Sequence, residues 1–446
     1  MNVRHKLPAA LLVLATSGTA VAQQQPWLAD RRYGEGIGIQ TGNFELHPAI
    51  AAEFGYDTNF FQRAESENPE DAFRLRVTPS LTLSTLSQRR AGSAPLGAPP
   101  MLTLSANLFF SYSEVLGSDE VSDQRNFDAG VGFRADIAPQ RPFGADVYAD
   151  YLRSGEPSNS PVLDQSFDRG NIRGGVGVSW RPGGGLFDWR LGYELAYAYF
   201  EKDAFDELNN YQHNVLTRGR WRFLPRTALQ YDARYTMVRY QVNRQQPDGD
   251  FIEARVGLSG LVTSQIAFLA LVGWNSSFYE PDQGSAVEAQ NYDGYVAHGE
   301  LKFFLSPAPS AETVPVGLSS IAAGFQRDFS NSYLGSFYVR DRGYLGVDYF
   351  LGGVFVAQLE GGFGVYHFPR IDELNGAFNQ RRIDARLFAE YRLSDTFGIN
   401  STLLYDQALG EGPHPQGVQL NAEPGADYDN LEFQRFQAYV GVRLFW

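Results

Sequence analysis

The chain has 446 residues, no cysteine and a formal net charge of −14. The absence of cysteine excludes disulfides, thiolate catalysis and cysteine-based metal sites, and the negative charge argues against nucleic acid as a partner. Glycine (46 residues) and aromatic residues (14%) are abundant, while the mean hydropathy is −0.30. This combination is typical of strands that are apolar on one face only.

The first 22 residues have the organisation of a secretory signal. Arg4 and Lys6 give a positively charged start, "LPAALLVLA" (7–15) is a short apolar core, and "AVA" (20–22) fits the small-x-small cleavage pattern. The alternative is a transmembrane anchor, which needs roughly 20 apolar residues. We therefore predict that residues 1–22 direct export and that residues 23–42 form a periplasmic lead.

From residue 43 onward the sequence repeats one pattern, in which apolar and polar residues alternate over about ten to fifteen positions. Clear examples are "NFDAGVGFRADIA" (126–138), "FDWRLGYELAYAYF" (187–200) and "RRIDARLFAEYRL" (381–393). A period of two predicts half-buried strands. These segments are longer than an ordinary strand of about five or six residues and have the length that a tilted strand needs to cross a bilayer.

The connections between these segments alternate in length. Short breaks such as 139–142 and 224–226 are followed by longer polar stretches such as 154–169 and 407–431. Eight connections on the periplasmic side and nine external ones predict about 18 strands. We therefore predict an all-β fold, a transmembrane antiparallel up-and-down β-barrel over residues 43–446. A soluble β-sandwich pair or a propeller is the alternative, but no repeat of propeller length is present.

The polar faces of the strands are expected to line the lumen, and about 18 strands enclose an aqueous channel. The lead or a long loop could fold into it. "TRGRWRF" (217–223) places three arginines on one face, where they repel unless neighbouring acids or an anionic cargo offset them. Two interpretations of the lumen charges are open. The charges pair across strands and stiffen the barrel wall, or the arginine rows create an electric field that discriminates between solutes. The pore-lining candidates are Arg134, Arg173, Arg218, Arg220, Arg222, Arg234, Arg255, Arg386, Arg392, Asp146, Asp150 and Glu390.

Signals for catalysis or metal binding are weak. No spacing of serine, histidine and carboxylate residues singles out a catalytic set, and "DYDNLE" (427–432) lacks the full pattern and the glycine of a calcium loop. We predict no enzymatic activity, no metal site and no cofactor.

The last segment, "FQAYVGVRLFW" (436–446), is an alternating strand that stops on an aromatic residue. We predict that it closes the barrel by pairing with the first strand near "HPAIAAEFGY" (47–56). It also resembles the C-terminal signal that the barrel-assembly machinery recognises. The predicted signal residues are Phe436, Tyr439, Val440, Val442, Leu444 and Trp446.

The stretch "GEGIGIQTGNFELHPAIAAEFGYDTNFFQR" (34–63) resembles the start of the type 2 outer-membrane β-barrel porins, through Tyr56, Asp57, Asn59 and Phe61. This resemblance implies a location in the bacterial outer membrane and a link to secreted polysaccharide pathways. The expected function is a conduit for a secreted polysaccharide; the alternatives are a general solute porin and a structural or adhesive barrel with a closed lumen. The expected partners are outer-membrane lipid and lipopolysaccharide, the barrel-assembly machinery and a periplasmic polysaccharide-export protein.

Overall fold

A computed structural model of the chain describes residues 38–85, 101–155, 168–241, 246–280, 289–305, 319–332, 336–351, 354–370, 376–410 and 432–446. These residues form almost entirely β-structure, and no helix among them is long and apolar enough to cross a membrane. The strands are β1 (Ile39–Thr41), β2 (Phe44–Asp57), β3 (Ala72–Thr85), β4 (Leu102–Leu116), β5 (Asn126–Ile137), β6 (Phe143–Ser154), β7 (Arg169–Trp180), β8 (Phe187–Phe200), β9 (Asn210–Leu224), β10 (Thr227–Tyr240), β11 (Gly249–Leu261), β12 (Ile266–Tyr279), β13 (Asp293–Phe304), β14 (Ser320–Asn331), β15 (Phe337–Leu351), β16 (Phe355–Phe368), β17 (Phe378–Ser394), β18 (Phe397–Leu409) and β19 (Phe433–Phe445). The helical elements are α1 (Asp119–Ser122) and the 3₁₀ turns Glu65–Glu67, Pro182–Gly185 and Asp203–Leu208.

Strands β2 to β19 form a closed barrel. Each strand pairs antiparallel with its neighbours along the chain, and β19 returns to pair with β2 from Gln437↔Asp57 to Phe445↔Ala49. The described residues thus contain eighteen barrel strands, which confirms the predicted fold class and the predicted strand number. Each barrel strand therefore has a neighbour on both sides, which a sheet in lipid requires because lipid cannot satisfy backbone hydrogen-bonding groups.

The short strand β1 lies within the predicted lead. It pairs with β2 from Ile39↔Leu46 to Thr41↔Phe44, on the same edge of β2 as β19, at residues before the β19 ladder begins. The Trp446 backbone N–H donates a hydrogen bond to the Pro48 carbonyl oxygen at 3.0 Å, immediately above the β1 pairing. The predicted signal, residues 1–22, lies outside the described residues.

The alternation of the sequence determines which side chains face outward. In β19, Val440 is 60% exposed on the outer face, whereas the adjacent Tyr439 is 1% exposed on the inner face. The same alternation in the other strands builds an outer surface rich in large apolar side chains. Trp180 and Trp221 are exposed on this surface close to the short connections, where an aromatic girdle is expected in a membrane barrel.

The corner after β2 fastens the barrel seam at the long-loop end, the end of the barrel that carries the longer connections. Asp57 accepts a hydrogen bond from Arg435 Nε of β19 at 2.9 Å. The Asn59 side-chain amide donates to the Gln434 carbonyl oxygen of the same strand at 3.1 Å and to the Arg63 carbonyl oxygen at 2.7 Å. Asp57 and Asn59 of the "YDTNFF" stretch therefore connect the first barrel strand to the last.

One hairpin departs from the regular wall. The ladder between β13 and β14 ends at Ala297↔Arg327, although both strands continue toward the long-loop end. Beyond this point, Phe329 of β14 contacts Phe251 of β11, with 5.4 Å between the ring centroids. An aromatic cluster of the barrel interior lies at this place, between the β14–β15 hairpin and the inner face of β10 to β12.

Candidate functional site

The lumen is lined by charged side chains of both signs, and the two signs nearly balance. Strand register places these residues on the inner face, where many form ion pairs with neighbouring strands. Arg190 Nε of β8 donates to Asp146 of β6 at 2.8 Å, and Arg255 Nε of β11 donates to Asp232 of β10 at 2.8 Å. Arg342 of β15 pairs with Asp384 of β17 and with Glu360 of β16. These contacts match the wall-stiffening interpretation of the sequence.

The charges near the seam are buried. Glu390 of β17, which is 2% exposed, accepts hydrogen bonds from Arg443 of β19 at 2.8 Å and from Arg392 at 2.9 Å. Arg76 of β3 lies 3.2 Å from the buried Glu53 carboxylate and over the Tyr439 ring, 4.1 Å from its centroid. A buried ion pair is costly to break because removal of one partner leaves an uncompensated charge. We assign these seam residues to the stability of the wall.

Strands β5 to β10 carry a group of arginines that are exposed to the lumen. We define the arginine arc as Arg134 of β5, Arg173 of β7, Arg218, Arg220 and Arg222 of β9, and Arg234 of β10. The side chains of Arg134 and Arg173 are 48% and 53% exposed. The four others are also exposed. The arc runs from the short-connection end toward the middle of the barrel, because Arg220 and Arg222 precede the β9–β10 turn, whereas Arg234 lies opposite Leu216 farther up.

Only part of the arc is neutralised by carboxylates. Arg134 lies 3.0 Å from Asp136, and Arg173 lies 3.0 Å from Asp150. Among the described residues, no carboxylate oxygen comes within 4.0 Å of Arg218, Arg222 or Arg234, which form no ion pair there. In the register, Arg218 lies opposite Arg190 of β8, where like charges repel, and opposite Asp232 of β10. Arg234 lies opposite Glu253 of β11, and both of these carboxylates also contact Arg255. The arc therefore presents a positive charge to the lumen that is only partly compensated.

The predicted pore-lining residues separate into these two groups. All lie at inward-facing register positions, with Arg222 at the irregular end of β9. The arc contains the exposed arginines, with Asp150 beside it. Asp146 and Arg255 belong to ion pairs of the wall, and Glu390 and Arg392 belong to the buried seam. Arg386 lies opposite Glu360 and Leu404 on the inner face of β17. Conduction past these residues remains a prediction.

Sequence reasoning missed several lumen residues. Arg340 and Arg342 of β15 face inward, and Arg340 Nε donates to Asp328 at 3.1 Å. Their strand reads "VRDRG" (339–343), so charged residues occupy both faces and the alternation does not reveal which face is inner. The outward-facing member, Asp341, pairs with Arg327 at 2.7 Å. Arg435 and Asp57 were also missed, because their pairing joins opposite ends of the chain.

The arrangement offers charge and hydrogen bonds to a solute in the lumen. In the part of the chain that the structure describes, no group of three or more histidine, aspartate or glutamate side chains could hold a metal ion. The predicted assembly residues Phe436, Val440, Val442, Leu444 and Trp446 are exposed on the outer face, whereas Tyr439 is buried on the inner face. Their part in assembly remains a prediction.

The chain is similar to one protein family and to several solved structures. A family model described as "Putative beta-barrel porin 2" matches residues 32–411. No curated protein matches the chain. Among solved structures, OccK5 (OpdH) of Pseudomonas aeruginosa is 10% identical with a TM-score of 0.44, over 90% of this chain and 98% of that one. OpdL of the same organism is 9% identical with a TM-score of 0.45, over 91% and 99%. The siderophore receptor PirA, also of that organism, is 9% identical with a TM-score of 0.42, over 90% and 80%.

The family match covers most of the chain and includes the whole barrel up to the last long loop. It agrees with the closed eighteen-strand sheet, the apolar outer surface and the charged lumen. The chain therefore belongs to the beta-barrel porin 2 family and is a β-barrel porin of the bacterial outer membrane.

Proposed function

We propose that this porin is the outer-membrane conduit through which an acidic polysaccharide is exported. The observation that carries the proposal is the arginine arc, whose exposed guanidinium groups face the lumen. Arg134, Arg173 and Arg220 have carboxylates within 4.0 Å, whereas Arg218, Arg222 and Arg234 have none among the described residues. A guanidinium group binds carboxylates in a bidentate manner and also donates hydrogen bonds to hydroxyl groups. A sugar acid offers both kinds of acceptor.

The position of the arc also favours a polymer. Its arginines are spread over four strands, from the short-connection end toward the middle of the barrel. As a polymer with regularly spaced negative charges moves through the lumen, each charge leaves one arginine and binds the next. No single arginine therefore needs to bind the polymer tightly. Contacts that are individually weak and exposed to water allow passage, because binding that is too tight prevents exit.

A general solute porin is the second candidate. The near balance of charges over the whole lumen favours it, because a balanced wall discriminates little between cations and anions. The two candidates differ in what the cell loses without the protein. A conduit for a polymer is required for surface polysaccharide, whereas a solute porin is required for uptake of small molecules.

The partners follow from the same proposal. The outer face would contact outer-membrane lipid and lipopolysaccharide, and β19 would be recognised by the barrel-assembly machinery. A periplasmic polysaccharide-export protein would deliver the polymer to the short-connection end, where Arg220 and Arg222 lie.

The test is an in-frame deletion in the source bacterium, complemented with the wild-type gene. We expect loss of surface polysaccharide, accumulation of the polymer in the periplasm, and unchanged uptake of a small organic anion. Intact surface polysaccharide together with reduced uptake would replace the export proposal with the solute-porin function.

A further inference from the structure

The β14–β15 hairpin leaves the barrel wall at its long-loop end. The β12–β13 ladder continues up to Ser276↔Asp293, and the β14–β15 ladder continues up to Asn331↔Phe337. Between them, the β13–β14 ladder stops four residues earlier, at Ala297↔Arg327. The wall is therefore split between β13 and β14, while the ladders on either side of the split remain intact.

The β14–β15 hairpin bends toward the lumen, because outward-facing side chains of the hairpin contact inward-facing side chains of the wall. Phe329 belongs to the outward-facing set of β14, together with the exposed Phe325. Its ring nevertheless lies 5.4 Å from that of Phe251, which belongs to the inward-facing set of β11. Phe337, outward-facing in β15, stacks at 6.4 Å on Tyr279, inward-facing in β12. An outer face can meet an inner face of the same wall only if the hairpin lies inside the barrel.

A small number of side-chain contacts hold the hairpin in this position. The Asn331 side-chain amide donates to the Tyr240 hydroxyl oxygen at 2.9 Å, and the Tyr279 hydroxyl donates to the Ser336 carbonyl oxygen at 2.6 Å. Phe337 and Val339 are buried against Phe251 and Tyr279 in the aromatic cluster. On this edge of the hairpin, side-chain packing replaces the backbone ladder that a continuous wall would have.

We propose that the β14–β15 hairpin is a lid over the long-loop mouth of the channel, closed in this structure. In the open state, β13 and β14 continue the register they already share and add the pairs Val296↔Asp328, Tyr295↔Phe329, Gly294↔Ser330 and Asp293↔Asn331. Phe329 then lies beside Tyr295 on the outer face, where the alternation of β14 places it. Aromatic packing stabilises the hairpin in the closed state, and the completed backbone ladder stabilises it in the open state. An element with two positions requires that each position be stabilised in this way.

The lid is independent of the identity of the cargo, because it changes the aperture for any ion. Its test is the conductance of a Gly294→Cys/Ser330→Cys double variant in planar bilayers, before and after reduction. The chain has no other cysteine, and directly opposed residues of an antiparallel ladder are within reach of a disulfide. We expect oxidation to trap the open state, so the oxidised protein conducts more than the same protein after reduction.

Two results would overturn the lid. One is failure of the disulfide to form under oxidising conditions although both thiols react with a maleimide. The other is a disulfide that forms and leaves the conductance unchanged, which would make the hairpin a fixed part of the rim. Neither result concerns the export of polysaccharide, so failure of the lid and failure of the proposed function are distinguishable.

A second pair of variants tests the lid without a crosslink. Phe329→Ala removes the ring that contacts Phe251, whereas Phe325→Ala removes an outward-facing ring of the same strand that lies below the split. We expect Phe329→Ala to shift the ratio of closed to open channels by about tenfold, the size that the loss of an aromatic contact predicts. The Phe325→Ala variant should keep the wild-type ratio. Equal gating in both variants would contradict the proposal.

Discussion

Individual arginines of the lumen differ in their partners rather than in their chemistry. Arg443 and Arg392 hold the buried carboxylate of Glu390, whereas Arg218 and Arg234 are exposed and have no carboxylate within 4.0 Å in the described residues. The first kind stabilises the barrel wall, because its charge is neutralised by a neighbouring carboxylate. We expect the second kind to act on solutes, because its field extends into the lumen with only partial compensation.

This difference predicts the effect of removing charge from the arc. The double variant Arg218→Gln/Arg234→Gln should lower the preference for anions, measured as a smaller shift of the reversal potential under a salt gradient. The matched control is Arg381→Gln, which removes the charge of an exposed arginine on the outer face of β17. An unchanged reversal potential in the double variant would show that the arc does not set selectivity.

A second prediction concerns the seam. Asp57 is fully buried and binds Arg435 and Gln437 of β19. Asp57→Ala leaves the guanidinium of Arg435 buried without its main partner, so we expect a loss of about 3–5 kcal/mol in the free energy of unfolding. Urea unfolding followed by tryptophan fluorescence measures it. Glu65→Ala, at an exposed position of the adjacent loop, is the control and should change stability by less than about 0.5 kcal/mol. Equal stability of the two variants would remove the seam role of Asp57.

The strands that the sequence predicts correctly are those whose structure is decided by a local pattern of residues. β19 and β2 alternate regularly, so the sequence predicts their faces and their pairing, and the structure confirms both. The inner and outer faces of β15 could not be assigned from the sequence, because the consecutive charged residues Arg340, Asp341 and Arg342 obscure the period of two. The inward position of the β14–β15 hairpin could not be predicted either. It depends on contacts with β10 to β12, roughly 50 to 90 residues away along the chain, and the alternation of β14 alone places Phe329 on the outer face.

The end of β19 carries an assembly prediction. The Trp446 backbone binds Pro48, and its carbonyl oxygen lies 3.1 Å from His47 Nδ1, so the terminal residue completes the seam with β2. Deletion of Trp446 should reduce the amount of folded protein in the outer membrane, measured by heat-modifiable migration on gels. Trp446→Phe keeps a terminal aromatic residue and should assemble normally. Normal assembly of the deletion variant would refute the terminal signal.

At the scale of the whole molecule, the net charge of −14 and the arginine arc are compatible because they occupy different places. The lumen nearly balances its charges, and its uncompensated positive groups are concentrated on one side, from β5 to β10. Composition alone could not reveal this, because it sums over the lumen, the rims and the connections. The barrel, by contrast, was predictable from the sequence as a whole, since the strand period and the alternating connection lengths both indicate it.

The reversal potential of the purified wild-type protein in a planar bilayer under a salt gradient shows whether the arginine arc sets the selectivity of an open channel. An open barrel in which the exposed arginines of the arc have the fewest carboxylate partners should conduct ions and should prefer anions to cations. A protein that conducts with a preference for cations would contradict the role assigned to the arc. A protein that does not conduct even when the Gly294→Cys/Ser330→Cys disulfide holds the hairpin open would contradict the conduit itself.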